Sequence, residues 1–391
     1  MPPFPAVTSG RTKNAMFVAL VLRSVIVTVC CVPETVRAAV AVTPAFVARL
    51  ESLQRFIGPS DLWPIGSVWN YHAGKAHSVF DNIKQYSSGI DGRYGTATSA
   101  ADFSRKSELQ NYETARSFFE AWSSHEYTQS FGVIFWMLNN AWPSVHWNLY
   151  DWYYKPGGGY FGARKANEPV HIAYDYFTRN VYVVNSTLSA RSNLTASATV
   201  YNVPDLTQKY TTQAAVSASA NASTQVLTLP AVAGLTTTYF IRLQLKDATG
   251  ATVSSNLYWY STSPDVLSGH NSWYRTTVKS YANLTGLNSL AANPNVMAAV
   301  TRSTSGTQQT ATITLTNTSA TNIAFFVRPE ITAGNGGNEV VPVNYTDNYV
   351  SLWPGESTTI TATYEASDLG GQAPYLRVRG YNVPTVSIPV P

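Results

Sequence analysis

The chain has 391 residues, more than one ordinary hydrophobic core holds, so two or three domains are expected. With 45% hydrophobic and 13% aromatic residues it is no disordered chain, and only 12% of its residues are charged. A net charge of +4, without a Lys/Arg cluster on one periodic face, excludes an electrostatic nucleic-acid binder.

Residues 1–43 read as a leader. Arg11 and Lys13 precede an apolar run from Ala15 to Val32, and small residues follow at Ala38, Ala39 and Ala41. This is the pattern of a secretory signal, the alternative being a leader foreign to the rest of the chain. Arg23 interrupts the run and disfavours membrane insertion by about 2.5–3.5 kcal/mol, so no stable membrane anchor is expected. Both cysteines, Cys30 and Cys31, lie inside the leader, and its removal leaves no disulfide and no thiolate chemistry. The six histidines lack ligand spacing, so no metal site and no cofactor is expected.

Residues 44–173 carry helical periodicity and most of the tryptophans. Trp63, Trp69 and His72 lie in a Pro/Gly-rich loop, DLWPIGSVWNYH, that could wall a pocket. Asp102–Ser123 is predicted as one long amphipathic helix, with Phe103, Leu109, Tyr112, Ala115, Phe118, Phe119 and Trp122 at helical spacing and capping side chains from Ser99 onward. Val133 to Leu138 is an unbroken apolar run, predicted as a strand buried on both faces as in a parallel sheet. A helix is predicted from Phe161 to Ala173, interrupted by Pro169. Helix, strand, loop and helix together are the tail of a βα repeat.

Past the predicted strand the chain switches to Asn139, Asn140, Trp142, His146, Trp147 and Asp151. The ends of such strands are where α/β barrels keep their sites. Asn supplies a donor and an acceptor, and Trp a flat apolar face with one N–H. A sugar ring, with hydroxyls on its rim and C–H groups on its faces, suits that mixture.

From about residue 174 the chain is all-β in character. Short alternating segments, such as Thr310–Thr316, recur between Gly/Pro/Asn turns and predict two immunoglobulin-like β-sandwiches, over 174–268 and, with a connector, 269–391. Six N-x-S/T sequons, at Asn185, Asn193, Asn221, Asn283, Asn317 and Asn344, all fall in this half and suit a secreted, extracellular glycoprotein.

Several stretches together resemble the C-terminal part of the glycoside hydrolase family 2 exo-β-D-glucosaminidases and, more distantly, the β-mannosidase branch. They are RYG (Arg93–Gly95), GVIFWMLNNAWPSVHW from Gly132, YFGARKANEPVHI (Tyr160–Ile172), NLYWYSTSPDVL (Asn256–Leu267), YANLTGLNSL (Tyr281–Leu290) and NYTDNYVSLWPGES (Asn344–Ser357). The resemblance runs from about Glu51 to the end. It implies a multidomain chain: the C-terminal half of a (β/α)8 TIM barrel, with its eighth strand at Gly132–Leu138, followed by two immunoglobulin-like sandwiches.

The resemblance also implies hydrolysis of terminal β-1,4-glucosamine from chitosan or chito-oligosaccharides by a retaining mechanism, with two carboxylates about 5–5.5 Å apart. It sets both upstream of this chain. Glu34, the nearby candidate, fits neither in context nor in spacing, so no catalytic residue is assigned and the chain is expected to be inactive, a truncated product of its gene. Residues 44–173 amount to roughly half of a typical barrel of about 250 residues. Trp136 then reads as a subsite wall or barrel filling, and Asn139 and Asn140 as hydroxyl ligands or turn residues. Trp142, His146 and Trp147 line outer subsites or pack under the loop. Asp151 suits the cationic 2-amino group, although a cap for the following turn is the stronger reading. A secreted, non-catalytic carbohydrate-binding or adhesion protein is the alternative from another class, and a β-mannosidase the alternative among enzymes.

Overall fold

The computed structural model describes residues 47–73, 83–126, 132, 133, 135, 137–145, 148–272 and 275–391. Its helices come first: α1 (Leu50–Phe56), α2 (Ser67–His72), α3 (Lys84–Tyr94), α4 (Ala100–Ser123) and α5 (Gly158–Ala166). Strands then run to the end, and every pairing among them is antiparallel.

Helix α4 forms where its periodicity predicts. Ser99 caps it, its Oγ accepting from the Asp102 backbone N–H at 3.1 Å, and the Asp102 carboxylate lies in the first turn, where the helix dipole favours it. The burial pattern differs from the amphipathic expectation. Ser107, Gln110, Asn111, Thr114 and Ser117 are as buried as Phe103, Leu109 and Ala115, because α3, α5 and both sandwiches surround the helix. Its close approach to α5 depends on two glycines one turn apart. A Cβ at Gly158 would stand 2.3 Å from the Glu108 carbonyl oxygen, and one at Gly162 2.2 Å from that of Tyr112.

Two predicted elements are corrected. The helix expected over Phe161–Ala173 ends at Ala166, and Val170–Tyr174 instead forms strand β1. Pro169 has no N–H to continue the helix and biases Glu168 toward extended backbone, while β-branched residues follow. The strand expected at Val133–Leu138 is absent among its described residues. The Met137 and Leu138 carbonyls accept from the Leu149 and Tyr150 N–H groups at 3.3 and 2.8 Å, so this backbone pairs with a loop, and Leu138 is exposed. An apolar run becomes an interior strand only between neighbouring strands, and no parallel sheet is present among the described residues to supply them.

The first sandwich packs the sheet β1, β2 (Asn180–Asn185), β5 (Ala222–Thr228) against β4 (Gln208–Ala218), β3 (Arg191–Asn202), β6 (Thr238–Lys246), β7 (Thr252–Ser261). Ile172, Val183, Ala196, Ala198, Leu243 and Tyr258 fill its core. A hairpin, β8 (Val266–Ser272) and β9 (Arg275–Ser280), leads to the second sandwich. Its sheets are β10 (Val296–Ser305), β11 (Gln308–Asn317), β15 (Ser357–Glu365), β13 (Asn344–Tyr345), and β14 (Val350–Leu352), β12 (Ala324–Ala333), β16 (Pro374–Arg379), β17 (Val386–Pro389). Strand β11 alternates buried and half-buried along nearly its whole length, whereas β12 is buried on both faces. Its outer face, with Arg328 and Glu330, is covered by the helical segment, whose apolar residues share one continuous core with this second sandwich.

Candidate functional site

The loop that follows the apolar run is laced to α2. The His72 carbonyl accepts from the Val145 N–H at 3.0 Å, and the Val145 carbonyl from that of Ala48 at 2.6 Å. His72 Nδ1 lies 2.8 Å from the Pro143 carbonyl oxygen, so this nitrogen carries the proton and donates. These contacts stack the His72 and Trp142 rings 5.5 Å apart at 25°, with Tyr71 edge-on to Trp142 at 5.8 Å. Phe56 extends the row beneath, 4.7 Å from His72 and 6.5 Å from Tyr153, over which Arg55 lies at 4.7 Å. Tyr71 is 62% and Trp142 42% exposed, so the row ends in an aromatic platform facing water. Trp142 was legible in sequence. Trp69 and His72, expected in a loop, lie on helix α2, and Tyr71 between them was not singled out, its one signal being an aromatic residue beside two others.

The remaining predicted residues divide. Asn139 donates from Nδ2 to the Tyr150 and Asp151 carbonyls at 3.3 and 2.9 Å, and buried Asn140 donates to Ser144 Oγ at 2.6 Å, so both amides brace the loop. Asp151 is buried, its Oδ1 accepting from the Tyr153 and Lys155 N–H groups at 2.9 and 3.0 Å, which makes it the cap of its turn. Trp69 cannot wall a pocket. It has no exposed surface, its N–H reaches the Asp61 and Leu62 carbonyls, and its ring meets Phe103 edge-on at 5.7 Å. Trp63 is half-buried, 6.2 Å from Phe103. Trp136, His146, Trp147 and Glu34 lie outside the described residues.

Two of the sequons are also corrected. The Asn185 and Asn317 side chains have no exposed surface. Asn185 Nδ2 donates to the Ser189, Ala218 and Ser219 carbonyls, and Asn317 Nδ2 to those of Asn322 and Leu352. A glycan on either nitrogen would displace those bonds from an interior site. Asn193, Asn221, Asn283 and Asn344 are exposed.

Several further carboxylates lie in two ion networks. In the first, Arg49 is paired to Glu330 and Glu339, and Glu51 to Arg328 and Arg379, joining α1 to β12 and β16. Burial opposes the Glu51 charge, yet Arg328 and Arg49 hold it down to about 2. In the second, Arg116 lies over the Tyr258 ring at 4.0 Å and pairs with Glu113, while Glu120 accepts from Asn256 and contacts His171 at 2.8 Å. Burial pushes Glu113 up to about 7, Arg116 opposing and the nearby Glu120 charge adding to it. Perturbed carboxyls often mark catalysis, but these networks serve as seams, the first between α1 and the second sandwich and the second between α4 and the first sandwich. Among the described residues, no helix is long and apolar enough to cross a membrane.

Antiparallel sandwiches trailing a helical segment with an exposed aromatic platform place the chain among multidomain proteins with immunoglobulin-like modules. Residues 178–263 match the Mannosidase Ig/CBM-like domain and residues 273–383 the Exo-beta-D-glucosaminidase Ig-fold domain. The exo-beta-D-glucosaminidase of Streptomyces avermitilis is 42% identical over 88% of this chain and 39% of its own length. That of Amycolatopsis orientalis is 40% identical over 88% of this chain and 34% of its own length. The crystal structure of Amycolatopsis orientalis exo-chitosanase superposes with a TM-score of 0.83 at 40% identity, covering 88% of this chain and 42% of that one. A β-D-mannosidase from Dictyoglomus thermophilum, 17% identical with a TM-score of 0.58, shares the fold over 87% of this chain and 37% of its own. Over 88% of its length the chain is therefore similar to part of the exo-β-D-glucosaminidases, with mannosidases as more distant neighbours. It spans under two fifths of the length of these curated relatives.

Proposed function

We propose that this chain is a glucosaminidase-like carbohydrate-binding piece of a family 2 glycosidase, which holds chitosan ends on the Tyr71–Trp142 platform without hydrolysing them. The observation that carries the reading is the exposed aromatic row, braced by Asn139, Asn140 and Asp151, in a chain 42% identical to an exo-β-D-glucosaminidase. Aromatic faces suit the C–H faces of a pyranose, and Trp142 with Tyr71 would border the sugar. Support for the non-catalytic part comes from the described carboxylates: those of the two networks are held by cations or helix-to-sheet bonds, and Asp151 is held by the N–H groups of its own turn, so each already has a structural use. The helical segment is read as part of a larger catalytic domain, and secretion as the route that would use the exposed sequons at Asn193, Asn221, Asn283 and Asn344.

Purified chain should bind chito-oligosaccharides in a titration and leave a chromogenic β-glucosaminide uncleaved. Turnover well above background would overturn the non-catalytic part, and absence of binding would overturn the platform. Equal or stronger binding of manno-oligosaccharides would favour the mannosidase branch.

A further inference from the structure

Three of the family-like stretches meet at one place away from the platform. Arg93 of the RYG stretch donates to Asp265 of STSPDVL at 3.0 Å, and Tyr281 of YANLTGLNSL lies 4.8 Å from the Arg93 guanidinium. Beside them, between α3, α4 and the first sandwich, is a cavity of about 260 Å³ lined by Tyr94, Glu113, Tyr176, Phe177, Trp259 and Tyr260 among others. That volume is just under the usual range of about 300–1,000 Å³ for ligand pockets, so it suits a single small ring. Two of the lining residues carry buried polar atoms with no hydrogen-bond partner among the described residues, Glu113 Oε1 and Tyr176 Oη. Glu113 as a whole is only 5% exposed, so its unmatched oxygen is expensive unless a donor reaches it. Aromatic walls, one unmatched carboxyl oxygen and one unmatched phenol call for a small ring bearing an amine and hydroxyls. At the rim Phe177 is 52% exposed, which leaves the cavity reachable from solvent.

We propose that this cavity is a second, monosaccharide-sized site for an amine-bearing sugar such as glucosamine, the ammonium donating to Glu113 and a ring hydroxyl meeting Tyr176. The choice of sugar rests on the chitosan reading above. The site itself rests on the two unmatched atoms.

The test is calorimetric titration of free glucosamine into the full chain carrying Trp142→Ala, which removes the platform. Saturable one-to-one binding is expected, weakened about tenfold or more by Glu113→Gln and about two- to tenfold by Tyr176→Phe. Tyr176→Phe deletes one hydroxyl from a half-buried ring, so it carries the test if Glu113→Gln does not fold. No saturable binding, or binding unchanged by Tyr176→Phe, would overturn the site. Equal affinity for methyl β-D-glucopyranoside would overturn the amine–carboxylate pairing. Failure here with chito-oligosaccharide binding intact in the unmodified chain would leave the platform reading standing, and the converse would sink only that reading.

Discussion

The first sandwich and the helical segment bury similar kinds of surface in opposite ways. The sandwich has an inner core of its own, in which Val181, Val183, Leu243 and Leu245 alternate with outward residues, and only a few outward residues such as Phe240 and Trp259 join the neighbouring core. The helical segment has no core of its own. Its Leu53, Trp69, Phe103 and Phe161 belong to one cluster with Ile331, Val378 and other residues of the second sandwich, and its polar groups are paired across the seam. A fold that is apolar inside and polar outside can stand alone, whereas one whose polar groups are matched by a neighbour depends on that neighbour.

The largest expected effect comes from separating the two. Residues 170–262 alone should show a cooperative thermal unfolding transition by circular dichroism, and residues 47–169 alone should show none. A cooperative melt from the helical piece would break the comparison outright. Next comes the charge seam within the intact chain. Arg49→Met removes the main partner of interior Glu339 and one of several arginines around Glu330, and unfolding in urea should show a loss of about 3–5 kcal/mol. Gly162→Ala attacks the seam between helices. The added methyl would meet backbone, which cannot turn aside like a side-chain end, so a loss of about 1–3 kcal/mol is expected by the same measurement.

The ion seams also predict the pH profile. Glu113, at about 7 in the fold, binds its proton more tightly than the ordinary carboxyl at 4.5, so this group makes stability fall as pH rises from 4.5 to about 7. His171 works in the same direction. Burial would lower it, but Glu120 and Glu168 raise it, so its contribution is complete below 6.5 and is lost as pH climbs through its raised value. Glu51 and Glu168, both near 2, contribute fully above 4.5 and lose that contribution as pH falls toward 2. The melting temperature should therefore peak just above 4.5 and decline toward neutral pH. Glu113→Gln should flatten the neutral side of the curve, and an unchanged slope would remove Glu113 from the account.

How much was legible in sequence divides along the same line. Strands such as Thr310–Thr316, and helix α4 with its Ser99 cap, follow from local periodicity, which needs no partner to be read. The apolar run at Val133–Leu138 was misread because strand formation depends on neighbours that periodicity does not report. The polar residues of α4 were assigned to water for the same reason: Gln110, Glu113 and Arg116 look solvent-facing until two other domains cover them. Asn185 and Asn317 carry a surface motif yet sit in interior turns, since a sequon fixes chemistry and not exposure. Within the site, Trp142 was legible as an aromatic beyond an apolar run, while the bracing roles of Asn139 and Asn140 depend on a loop path set by Val145 and His72.

The smallest expected effect is the sharpest test of the comparison. If the helical segment is held together by its seams, the exposed platform is the part it does not need. Trp142 contacts His72 and Tyr71 on one face and water on the other, so Trp142→Ala should change unfolding free energy by no more than about 0.5 kcal/mol. The same substitution should abolish chito-oligosaccharide binding at the platform. A large loss of stability would mean that the ring is structural, part of the packing over Phe56 and not a surface kept for a ligand. Unchanged stability with lost binding would separate the two uses of aromatic residues in one short segment: Trp69 and Phe103 to close the core, Trp142 and Tyr71 to meet something outside it.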